Sequence, residues 1–205
     1  MMGMGLPRCA LLMLAALGTV ALPAGAMALE EKKDEKDKLK ACERRICDAI
    51  VKKAPATGDV SCALTKTWAR KSIKENSDES KKVDWTFGDA RCTVDLKVPR
   101  ALIVSALAEP GVKLELPLHR VDCEIERDKE VDRVHFTLGP KVRFENGVAK
   151  QVWINLKKVE GPGAIKAMAT SLAKLEDTVG LFQGPLTKAI NKFIAEKCPK
   201  TVKGG

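Results

Sequence analysis

The chain has no tyrosine, and Phe and Trp together make up only 4% of its residues. A broad recognition face built on aromatic platforms is therefore not expected. Histidine is scarce as well, with His119 and His135 as its two examples. With so few imidazoles and neither C-x-x-C nor H-E-x-x-H spacing, no metal site is assigned. G-x-S-x-G, a phosphate loop and a dinucleotide fingerprint are also missing, so no catalytic residue and no cofactor is assigned. After residue 28 no apolar run reaches the roughly 20 residues that a membrane-spanning helix requires, and a retained anchor is not expected.

What the first 28 residues hold is ordered differently. Arg8 precedes an apolar run from Ala10 to Leu22, and Ala26, Met27 and Ala28 follow as an A-x-A pattern. That order predicts a secretory signal peptide over 1–28. Cys9 lies ahead of the apolar run and would leave with it. The remainder is read as a charged arm over 29–38 and a single domain over 39–205. The protein is expected to be exported, to the periplasm or the extracellular space. Losing Arg8 lowers the formal charge from +9 to +8. An exported basic chain is not expected to meet nucleic acid, which leaves anionic envelope components as one class of partner. Solubility is an equally good use of that charge.

Six cysteines remain: Cys42, Cys47, Cys62, Cys92, Cys123 and Cys198. In an oxidising compartment an even number reads as three disulfides, with 15 pairings open to them. Geometry narrows the choice. On a regular helix Cys42 and Cys47 stand about 140° and roughly 8–9 Å apart, beyond the reach of a disulfide. About 14 helical residues and about six strand residues separate Cys42 and Cys62 from the intervening turn, roughly 20 Å on either side. The expected pairing is Cys42–Cys62, Cys92–Cys123 across neighbouring strands, and Cys47–Cys198 joining the chain ends.

The periodicities predict an α+β fold, a curved antiparallel sheet of five to six strands packed against an N-terminal helix and C-terminal helices. Leu39, Cys42, Ile46, Ala49 and Ile50 mark an amphipathic helix over about 36–53. Val60, Cys62, Leu64 and Trp68 share one face of a first strand, with Trp68 and Trp85 read as core. The run Glu75–Lys82 is read as a loop. A second strand starts near Trp85 and bends at Gly88–Ala90. ALIVSALA, after Pro99, is a short buried helix. The apolar parity then switches between Leu118 and Val121, which predicts one long strand bulged near His119.

A turn at Arg127–Lys129 sets Cys123 against Val134 and Asp122 against His135. At Glu145–Gly147 a three-residue loop pairing Phe144 with Val148 is preferred over a two-residue turn pairing it with Ala149. The last strand is expected from Val148 to Val159, with Trp153 on its more exposed face as a candidate contact patch. Ile165, Met168, Leu172, Leu175 and Val179 form one helical stripe. Leu186, Ile190, Phe193 and Ile194 form another, which Pro199 is expected to end.

Both histidines are read on polar strand faces. Asp122 would orient His135 as a general base, but a cross-strand ion pair explains the same juxtaposition, and hydrolase activity ranks last. A bent sheet around apolar helices favours a cavity for a lipid or other apolar small molecule, with Leu102, Ile103, Leu107, Met168, Leu172 and Leu175 as candidate lining residues. A docking module for anionic membrane, cell wall or another exported protein is the alternative.

Overall fold

The computed structural model describes residues 29–52, 57–80, 85–128, 130–180 and 183–203. The leader expected over 1–28 lies outside the described residues.

The amphipathic stripe forms α1 (Glu35–Lys52), and alternation forms β1 (Asp59–Trp68). Of the polar run expected as a loop, 75–80 is helical instead, within α2 (Arg70–Ser80), and 81–82 lie outside the described residues. Ile73 anchors it against the cluster around Trp85 and Phe87. β2 (Ala90–Pro99) begins later than expected, because Trp85 folds back so that its Nε1–H donates to the Gly88 carbonyl at 2.9 Å. α3 (Arg100–Ala108) follows directly on β2.

The parity switch that read as a bulge in one long strand is a change of sheet, and the last strand expected over Val148–Val159 is divided in the same way. β3 (Gly111–Glu115) and β4 (His119–Arg127) belong to different sheets. So do β7 (Val148–Trp153) and β8 (Leu156–Glu160), on either side of Asn155 at φ 51°. With β5 (Glu130–Leu138) and β6 (Lys141–Glu145), the order is β1-β2-β4-β5-β8 in one antiparallel sheet and β3-β6-β7 in the other. Among the described residues eight strands are thus divided five and three, and neither sheet closes on itself.

The β4–β5 hairpin sets Cys123 opposite Val134 and Asp122 opposite His135. At the β6–β7 turn the preferred register is corrected: Phe144 faces Ala149 and Glu145 faces Val148. Asn146 and Gly147 both have positive φ, the requirement of a two-residue type I′ turn. The apolar face survives because the register slips between Arg143 and Phe144, leaving Lys150 as the extra residue and restoring Val142 to Val152.

α4 (Gly163–Val179) covers the five-stranded sheet at β8. Its buried side carries Ile165, Ala173 and Glu176, while Leu175 is 45% exposed, so the expected leucine stripe is rotated partly out of the contact. α5 (Gln183–Lys192) leads into a π-helical turn (Phe193–Lys197) and α6 (Cys198–Lys203). Pro199 does not stop the helix. It follows the π-helical turn by two residues, and the helix runs through it to Lys203.

The sulfurs join Cys42 to Cys62, Cys92 to Cys123 and Cys47 to Cys198, at Cα separations of 5.6, 4.1 and 4.7 Å. These tie α1 to β1, β2 to β4, and α1 to α6. No helix among the described residues is long and apolar enough to cross a membrane.

Candidate functional site

Most of the buried apolar residues among those described fall into three clusters. One joins β4, β5 and β8 to α4 around Val134, Val159 and Ile165. A second joins the three-stranded sheet to α3 and α5 around Leu114, Val142 and Phe144. The third lies between α1 and β1 around Cys42, Val60 and Cys62. The second and third do not close on each other, and the space between them is a groove of 400 Å³.

Each wall of this groove is apolar for a local reason. α1 turns Ile46 and Ile50 toward it, and Val98 closes the end of β2. Leu102, Ile103, Ala106 and Leu107 come from α3, which is apolar on nearly every side because it sits between sheet and helix. Leu114 and Leu116 follow β3, Val142 and Phe144 follow β6, and Ala189, Ile190, Phe193 and Ile194 complete the wall from α5 and the π-helical turn. None of these 15 side chains carries a hydrogen-bonding group. A π-helical turn is uncommon and often marks a functional position; here it supplies two of the lining residues.

Three of the six residues expected to line a cavity are brought together here: Leu102, Ile103 and Leu107. Met168 instead packs against the cluster under the five-stranded sheet. Leu172 is half-buried on α4 and Leu175 is exposed, and neither lines the groove. The walls from α1, β3 and β6 were legible only as ordinary core faces. Periodicity says which way a residue points, but not that the surface opposite stands back from it.

The position of α5 is fixed by two amides that complete the free edge of β7. Ala149 N–H donates to Asn191 Oδ1 at 2.8 Å, and Asn191 Nδ2 donates back to the Ala149 carbonyl at 3.0 Å. Gln183 does the same at Val152, whose N–H reaches its Oε1 at 2.8 Å. Asp177 holds the chain where it changes sheets, accepting from Ile154 N–H at 2.7 Å and Asn155 N–H at 3.0 Å.

A larger hollow of 690 Å³ lies on the open face of the five-stranded sheet. Size does not make it the better site. Its cations Lys38, Lys97 and Arg120 are matched by Asp59, Asp95 and Asp122. Lys97 pairs with Asp59 at 3.3 Å, Arg120 with Asp122 at 2.8 Å and Lys38 with Asp34 at 2.7 Å, so each of the three cations is already engaged. His119, expected on the polar surface, is 8% exposed. The β2–β4 ladder stops at Val94 and Val121, and beyond it Lys97 N–H donates to His119 Nε2 at 3.0 Å. That imidazole replaces a missing strand neighbour.

Asp122 and His135 do meet as a hydrogen-bonded pair. Burial raises the Asp122 pKa, but the bonds from His135 and Arg120 outweigh it and hold the carboxyl below its usual range. Arg120 also reaches Glu160 at 3.5 Å. The result is a ladder of ion pairs across three strands.

Trp68, expected in the core, is 39% exposed. Trp153 is half-buried with the Lys113 ammonium 4.5 Å over its ring. Among the described residues no cluster of His, Cys, Asp or Glu is arranged to hold a metal. No protein-family model, curated protein or solved structure matches the chain.

Proposed function

We propose that this protein is an exported binding protein for an apolar small molecule, held in the groove between α1, α3, the three-stranded sheet and α5. The observation that carries this reading is the 400 Å³ gap between two core clusters, walled by side chains without a single polar group. Ligand pockets commonly occupy about 300–1,000 Å³ and are mostly apolar. Water in such a gap finds no partner on its walls, whereas hydrocarbon restores the contacts that a closed core would have made. Export is supported by the leader pattern in the sequence and by the three disulfides.

The test is retention and uptake. Native mass spectrometry of the purified protein, before and after delipidation, should show a co-purified apolar molecule that delipidation removes. The stripped protein should then take up a polarity-sensitive fluorescent lipid. Ala189 lines the groove yet sits on the exposed side of α5, so Ala189→Trp inserts an indole at the mouth without overfilling a packed core. Its uptake should fall by about tenfold or more. Wild-type protein that takes up no lipid, or an Ala189→Trp variant that matches it, would overturn the reading.

A further inference from the structure

The groove does not end among hydrocarbon. Ala189 and Phe193 line both it and an adjoining hollow of 430 Å³, whose other walls are Lys192, Glu196, Lys197 and Lys200. Phe193 is the partition between an all-apolar space and one whose walls are mostly the hydrocarbon stems of three lysines, with the Lys197 ammonium 5.9 Å from its ring centroid. Lys197 is already engaged, since Glu43 of α1 pairs with it. Lys192 and Lys200 have no carboxylate partner among the described residues. Each sits four positions from Glu196, the one acidic group among the described residues that line the hollow.

From this juxtaposition we infer that the occupant is a single-chain amphiphile with an oxyanion head, a carboxylate or phosphate, an assignment that rests on the groove reading above. Its chain lies along the apolar walls and its head reaches Lys192 and Lys200. A purely apolar ligand would leave those ammonium groups facing water and gain nothing from them. An oxyanion at the mouth forms charge-assisted hydrogen bonds to them without entering the groove. A cationic amphiphile is repelled by the same residues, which gives the site a sign preference as well as a preference for hydrocarbon.

Displacement of parinarate, a fluorescent polyene carboxylate, from the delipidated full protein separates head from chain. Palmitate, palmityl phosphate and palmityl alcohol share one chain length and differ in head. At low salt, palmitate or palmityl phosphate should displace the probe about tenfold more tightly than the alcohol, an advantage that shrinks as salt is raised. The combined Lys192→Gln and Lys200→Gln variant should lose that advantage while its affinity for the alcohol stays put. Glu196→Gln should enlarge it. Equal displacement by all three in wild-type protein overturns the oxyanion head and leaves the groove reading standing. Failure to bind parinarate or any competitor overturns both.

Discussion

Glu35 is 1% exposed and yet held as a carboxylate, because three donors converge on it. Thr67 N–H donates at 2.9 Å, the Thr67 hydroxyl at 2.7 Å and Lys32 N–H at 3.1 Å. Burial raises its pKa, the hydrogen bonds outweigh burial, and the carboxyl sits below its ordinary value. A depressed folded value means that the stabilisation is complete above the unfolded pKa, about 4.3, and is lost as pH falls through the lower folded one. Glu35→Gln should therefore cost about 1–3 kcal/mol at neutral pH and flatten the acid limb of the stability curve. Urea midpoints measured down that limb check it; a variant whose slope parallels wild type would assign the acid sensitivity to other groups. Nothing in LEEKKDEKDK singles out this carboxylate from its neighbours. Its partner lies 32 positions along the chain, and only the packing of α1 against β1 brings them together.

At the scale of elements, both terminal helices close sheet edges by lending polar side chains to strand backbone. Glu35 does this for β1 at Thr67, and Asn191 and Gln183 do it for β7. Asn191→Ala leaves Ala149 N–H and C=O without those partners at a half-buried site and should cost about 1–3 kcal/mol. Because α5 is a wall of the groove, lipid uptake should fall as well. An unchanged thermal midpoint would refute the first expectation.

The β6–β7 turn offers a cleaner backbone test. Gly147 has φ 75°, and a Cβ there would come no closer than 3.8 Å to its neighbours. Gly147→Ala should thus lose about 1 kcal/mol from left-handed strain alone, read as a lower melting temperature with lipid affinity retained. Strand faces and the β4–β5 register were legible in the sequence because alternation has one solution once a turn is placed. Which sheet a strand joins was not. Leu114 and Val121 each keep an inward face, and alternation is silent on whether those faces look into one sheet's core or two.

For the molecule as a whole, helix and strand rise excluded Cys42–Cys47 and allowed Cys42–Cys62, while the other two pairs were expected from strand neighbourhood and from the chain ends and were not fixed by reach. A cavity has no such signature, since it is a contact that no side chain makes. The Cys47–Cys198 bond holds α6, and through it the π-helical turn, against α1, closing a loop with a sequence separation of 151. Replacing both cysteines by serine should cost about 2–5 kcal/mol, measured by urea unfolding. The same variant should become cleavable within 183–203 at protease concentrations that spare wild type. Resistance equal to wild type would show that the apolar contacts of α5 suffice alone.

The spacing of the sulfurs also imposes a timetable on biogenesis. A chain made from its N-terminus has both members of two bonds once Cys62 and Cys123 are made, whereas Cys47 must wait for Cys198, 151 positions further on. Until Cys198 is made, Cys47 has no partner and the groove lacks the brace that ties α6 to α1. On the proposed reading, a chain cut short ahead of Cys198 carries an unpaired Cys47 and a groove without its brace to α1, and a thiol-reactive label distinguishes it from one that holds Cys198.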